Sequence, residues 1–143
     1  MYSITKDGKC AKNLCVIDEK ARSVSTTEDG LVFDFTGESG WSFKTGSNCT
    51  FDTGYGCTFK TGSDCTFDTG GGCTFKTGDI SVVIRRDLYQ VIELIGGVET
   101  RLNAHGVRGY QVRTADYVKA KMDNEDGLLM VLQNEEWMSF DQF

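Results

Sequence analysis

The chain has 143 residues, enough for one domain with a single core and a small appendage at each end. A formal charge of −6 and a pI near 4.7 argue against a nucleic-acid polymer as partner, because non-specific phosphate binding is driven by a basic surface. No apolar run approaches the ~20 residues of a membrane span, and the opening MYSITKDGKC holds no apolar signal core, so neither membrane insertion nor secretion is expected.

Residues 1–29 are polar, carry Cys10 and Cys15, and read as an N-terminal cap over the open end of a stack. The stretch Gly30-Leu31-Val32-Phe33-Asp34-Phe35-Thr36-Gly37 then has the form of a strand followed by Thr-Gly. Phe35 lies eight residues ahead of Phe43, which predicts that this stretch opens the repeat in the same register.

From residue 40 to 79 the chain is periodic. Five octads match a Cys-Thr-Phe-Lys/Asp-Thr-Gly core without insertion, the first carrying Trp41 and Ser42 in place of Cys-Thr. Five residues of each octad alternate as a strand does, placing Cys, Phe and the second Thr on one face and the first Thr and the charged residue on the other. The next three, such as Gly54-Tyr55-Gly56, supply turn chemistry. Seventeen glycines with no proline fit ordered repetition rather than a collagen-like or disordered tract.

A strand and corner repeated in one sense predict a β-solenoid whose rungs stack at ~4.8 Å, with Phe43, Phe51, Phe59, Phe67 and Phe75 inside. Eight residues cannot surround packed phenylalanines, so two octads per coil are expected. The full reading is an all-β, small two-sided β-solenoid of about 16 residues per coil over 30–97, capped by 1–29 and 98–143. Lys44, Lys60 and Lys76 then fall on one flat face, and Asp52 and Asp68 on the other. Stacked like charges need compensation, and lateral docking of one protomer's lysine face on the next protomer's aspartate face would supply it. An intertwined trimer, with octads of different chains alternating and each Lys over an Asp, is the competing arrangement.

After Asp79, Ile80–Ile84 and Tyr89–Ile95 read as two strands that complete a last, more apolar coil. Residues 101–113 read as a β segment with turns, and Thr114 as the start of a short helix over 115–122. The runs 127–132 and Trp137–Phe140 are apolar enough for a C-terminal cap or a subunit interface.

The octads followed by Val83-Ile84-Arg85-Arg86-Asp87, then Val91-Ile92-Glu93-Leu94 and Leu102-Asn103-x-x-Gly106-Val107, resemble uncharacterised octapeptide-repeat proteins of tailed bacteriophages and other large DNA viruses. The resemblance covers residues 40–113. It implies a viral origin, and with it the host cytoplasm or the virion as location, and it carries no assigned activity.

The candidate chemistry is sparse. Cysteines spaced by eight on parallel strands form a line rather than a tetrahedral zinc site, and a disulfide across rungs would be strained, so reduced thiols and no metal are expected. His105 is the only histidine, which leaves no catalytic pair, and Asp123, Glu125, Asp126, Glu135 and Glu136 read as solvated surface. Gly70-Gly71-Gly72 lacks the lysine of a phosphate loop. The outward Thr50, Thr58, Thr66 and Thr74 could order water as ice-binding arrays do, but a charge two residues on roughens each row. Arg85, Arg86, Arg101, Arg108 and Arg113 could form an anion pocket.

The expected function is therefore a non-catalytic structural or interaction module without cofactor, partnering itself and other viral or host proteins. Candidate binding residues are Lys44, Lys60, Lys76, Asp52 and Asp68. A sponge for small signalling nucleotides, using Arg85, Arg86, Arg101 and Arg108, is the alternative.

Overall fold

A computed structural model describes residues 2–104, 106–113, 115–117 and 137–140. His105, Thr114, the run 127–132 and the acidic positions Asp123, Glu125, Asp126, Glu135 and Glu136 lie outside the described residues. Of the expected helix, residues 115–117 are helical and the remainder falls outside them too.

The chain is a β-solenoid of about four turns, with coils of about 16 residues and two facing sheets. One sheet stacks β5 (Val32–Phe35), β7 (Thr50–Thr53), β9 (Thr66–Thr69) and β11 (Ser81–Arg85) in parallel. The other stacks β4 (Ser23–Ser25), β6 (Ser42–Lys44), β8 (Thr58–Lys60) and β10 (Thr74–Lys76) in parallel. Successive octads alternate between the sheets, so each residue sits over its counterpart two octads away: Phe51 pairs with Phe67, and Phe59 with Phe43 and Phe75. Lysine therefore stacks on lysine and aspartate on aspartate within one chain, the pattern of the two-octad coil and not of the interleaved trimer.

The interior is aromatic. Phe33, Phe35, Phe43, Phe51, Phe59, Phe67 and Phe75 are each no more than 2% exposed. Within a sheet their rings stack nearly parallel, with centroids 5.0 Å apart for Phe51 and Phe67 and 4.9 Å for Phe59 and Phe75. Across the core they meet edge to face, at 4.9 Å for Phe59 and Phe67. Both arrangements suit the ring quadrupole and add to burial worth ~1.5–3 kcal/mol per ring. Thr53, Thr69 and Thr77 are buried beside them, each donating its hydroxyl to the next residue's carbonyl, so that these hydroxyls enter the core paired.

Two different demands place the glycines of each octad. The corner residue before each cysteine takes positive φ: 70° at Gly56 and 71° at Gly72, with Asn48 and Asp64 at 58° in the alternate corners. These are the residue types that tolerate the left-handed region. The glycine after each second threonine is needed for space instead. A Cβ on Gly54 would lie 2.7 Å from the carbonyl oxygen of Glu38 in the coil below, and one on Gly78 would lie 2.7 Å from the amide nitrogen of Ser63.

Three local expectations change. The parallel stack begins at β4 rather than at residue 30, because Val24 takes the place of a core phenylalanine over Phe43. Phe33, not Phe35, lies over Phe51, and Phe35 occupies the position of Thr53, because residues 36–41 make a corner two residues longer than the later ones. Third, β12 (Gln90–Leu94) does not cross to the other sheet to complete a coil. A turn over residues 86–89, with Tyr89 at φ 52°, folds it back antiparallel on β11.

Antiparallel pieces end the stack on all sides. β1 (Ser3–Lys6), with β2 (Lys9–Cys10), covers β5, and β3 (Val16–Asp18) covers β4. Beyond β10 come β13 (Thr100–Leu102), β14 (Tyr110–Arg113) and β15 (Trp137–Phe140). Each hairpin occupies backbone groups on which another rung would otherwise build.

The filled aromatic column sets the stability of the fold. Phe59→Ala is expected to cost about 3–5 kcal/mol, read as a drop in denaturation midpoint. A loss below about 1 kcal/mol would place the ring outside the tight core.

Candidate interaction faces

The charged residue after each phenylalanine points outward, and the two-octad coil sorts these residues by sign. On the β5–β11 sheet, Asp34, Asp52, Asp68 and Ile84 form one row. On the β4–β10 sheet, Ser25, Lys44, Lys60 and Lys76 form the other. Carboxylates and ammonium groups repeat at the rung spacing of ~4.8 Å, close enough for repulsion in each row.

Part of the repulsion in the aspartate row is compensated inside the chain, by one arginine shared between two of its three carboxylates. Arg86 continues β11, its amide bonded to the Thr69 carbonyl at 3.0 Å, and its guanidinium folds back along the row. Nη1 donates to Asp52 Oδ1 at 2.7 Å, and Nη2 donates to the Thr53 carbonyl oxygen. Nε lies 3.0 Å from Asp68 Oδ1, which receives no aligned hydrogen bond, so this contact is coulombic. Burial pushes the Asp68 carboxyl above its usual range; Arg86 opposes that shift and Asp52 adds to it. At the end of the row, the Thr36 hydroxyl and backbone amide bind Asp34 and hold its carboxyl down.

The lysine row has no such clamp. Lys76 lies 3.9 Å from Asp116, and among the described residues neither Lys44 nor Lys60 has a carboxylate partner. Beside them runs a row of hydroxyls, Ser42, Thr58 and Thr74, continued by Arg101 opposite Thr74. Thr58, Lys60, Thr74, Lys76 and Glu99 line a shallow groove of about 310 Å³. Glu99 is engaged by Arg113 at 3.4 Å.

The arginines do not gather into a pocket. Arg85 is wholly buried, in the interior row of Phe35, Thr53 and Thr69, where an octad carries threonine. Its guanidinium holds Asp87 through Nε at 3.1 Å and Nη2 at 2.5 Å, and donates to the carbonyls of Val107 at 2.6 Å and Ala104 at 3.1 Å. Asp87 also accepts the Gly106 amide at 2.8 Å. Arg85 and Asp87 thus plug the end of the stack and tie down Ala104, Gly106 and Val107. Arg101 lies on the other sheet and donates to Gln111 at 2.8 Å, while Arg108 is exposed in a loop, its carbonyl bonded to Asn103 at 2.8 Å. Arg86 is committed to the aspartates.

The repeat cysteines line the inner edges of the coils, with Cys49 and Cys65 in one column and Cys57 and Cys73 in the other. All six cysteines of the chain are free. The buried thiols point at corner carbonyls, as Cys49 does to Ser47 at 3.5 Å and Cys73 to Gly54 at 3.6 Å. A cysteine here is a small apolar filler with a weak donor for a crowded corner. Thiol hydrogen bonding with Cys65, then burial, pushes the Cys49 thiol up, and thiol hydrogen bonding with Cys57, then burial, does the same at Cys73. Among the described residues no cluster of three or more His, Cys, Asp or Glu could hold a metal ion.

No family model, curated protein or solved structure matches the chain. Among the described residues no helix is long and apolar enough to cross a membrane.

Sequence reasoning identified both charged rows but missed what Arg85 and Arg86 do. The signal was available: Val83 and Arg85 fall at the interior positions of the next rung, whereas Arg86 is the first residue beyond it.

Two variants separate the arginines. Arg85→Ala would leave the buried Asp87 carboxylate without its cation and the Val107 carbonyl without its guanidinium donor, so a loss of about 3–5 kcal/mol is expected in chemical denaturation. A neutral effect would overturn the plug. Arg86→Ala is expected to cost roughly 1 kcal/mol at pH 7, since its ion pairs are about two-fifths exposed and screened. Its loss has a pH signature. A raised Asp68 pKa means the folded state binds protons more readily than the unfolded state, so stability falls as pH rises through the carboxylate range. Without Arg86 that fall should steepen, and the deficit should shrink toward pH ~4. A deficit independent of pH would show that Arg86 acts by packing alone.

Proposed function

We propose that this chain is a virus-encoded, non-catalytic structural or protein-interaction module that acts as a rigid spacer and docking surface. It self-associates, binds other viral or host proteins, and works in the host cytoplasm or the virion. The observation that carries this reading is the distribution of chemistry in the fold. The interior is filled by phenylalanine and cysteine, and the charged groups lie on flat outer rows at a fixed pitch rather than converging on a cavity. Such rows suit an extended partner surface better than a small substrate held at one point. The octad and its Ile84-Arg85-Arg86-Asp87 continuation support the viral assignment by resemblance.

The nucleotide sponge loses its main support, because its arginines are divided among a buried plug, an aspartate clamp, the opposite sheet and a loop.

Affinity capture of the tagged chain from infected cells, with proteins and bound small molecules both analysed by mass spectrometry, tests the proposal. A stoichiometric viral or host protein is the expected result. A bound nucleotide with no protein partner and no self-association would overturn it.

A further inference from the structure

The two charged rows are built alike and finished differently. Three aspartates are met by Arg86 and by the Thr36 hydroxyl, while the lysine row is left to solvent over two of its three rungs. Lys44, Lys60 and Lys76 are each exposed and in register, so adjacent lysines leave the sheet one rung of ~4.8 Å apart, inside the ~8 Å screening length of physiological salt. A chain with a net charge of −6 thus carries a local row of three cations, with Arg101 one column over.

Resting on the interaction-module reading, we infer that the lysine face is the docking surface for an extended acidic segment of a partner protein. Three rungs span ~10 Å, the reach of about three residues of extended chain, and flexible lysine stems can meet the carboxylates of such a segment. Thr58 and Thr74 line one groove with Lys60, Lys76 and Glu99; with Glu99 engaged by Arg113, the two hydroxyls and two ammonium groups are left to meet an incoming carboxylate. A second copy is a poor occupant, since two of its own row aspartates are already held by Arg86 and the third by Thr36. A long nucleic acid is a poor one too, because it must run past the short cationic row onto an acidic surface. Bound acid relieves the repulsion within the row, so the partner stabilises the fold as it docks.

The test uses the full chain, with a glutamate-rich peptide of about ten residues as probe, followed by fluorescence anisotropy at low salt. Lys44→Gln with Lys60→Gln is compared with Lys9→Gln and Lys20→Gln, which removes the same charge from exposed positions elsewhere. The first pair is expected to weaken binding about tenfold and the second to leave it nearly unchanged, with affinity falling as salt rises. Neither pair should lower the melting temperature, which confirms that both fold. No peptide binding, or equal losses in the two pairs, would overturn the inference. So would polyphosphate or a single-stranded oligonucleotide binding these lysines more tightly than the peptide. A protein captured from infected cells and retained by the Lys44→Gln, Lys60→Gln chain would sink this surface while leaving the interaction module standing; capture of no protein at all would remove both.

Discussion

Everything in this molecule follows from phenylalanine rings piled in register. A parallel ladder forces each residue onto its counterpart one coil away, and the ring is the side chain that gains most from meeting its own kind there: stacked within a sheet and edge to face across the core. That register fixes the rest. Once Phe59 lies over Phe43, Lys60 must lie over Lys44, and the corner residues must fall where a coil turns. The like-charge rows are thus a consequence of core packing. The chain accepts them and treats them differently, clamping one with Arg86 and leaving the other open.

The same register explains how the stack is stopped. A parallel β-sheet with free edges is a template for further pairing, and a solenoid has two such ends. Here every terminal rung is met by a strand running the other way: β1 on β5, β3 on β4, β12 on β11 and β13 on β10. At the C-terminal end the interior also has to be closed. Arg85 does this from a core position, with Asp87 neutralising it and loop carbonyls filling its remaining donors. A buried ion pair is an unusual plug, since its desolvation must be offset by complete hydrogen bonding. It joins the solenoid to Ala104, Gly106 and Val107 in a way that an aliphatic side chain could not.

The architecture was legible in the sequence because periodicity and burial report the same thing in a repeat. Strand faces, two octads per coil and the sorting of Lys from Asp all follow from spacing alone. The misreadings occur where the period breaks. The longer corner at residues 36–41 moved Phe33 into the place expected of Phe35, and no octad count could reveal it. The reversal of β12 turned on a short turn over residues 86–89 rather than on strand character, which both segments have. Arg85 reads as part of an anion pocket because arginine is rarely buried, and only its alternation with Val83 marks it as interior. The charged rows were found, but their inequality was not, because Arg86 reaches its aspartates across folded coils.

The placement of Arg86 also makes the molecule sensitive to the parity of its repeats. Arg86 meets Asp52 and Asp68 because an even number of half-turns separates them. Inserting or deleting one octad between Asp68 and Arg86 would carry the arginine to the opposite side of the ribbon, against lysines, and leave the acidic residues bare. Inserting two would lengthen the rod by one rung and keep every pairing downstream. Within that segment, one guanidinium near the end of the stack favours changes of two octads over changes of one.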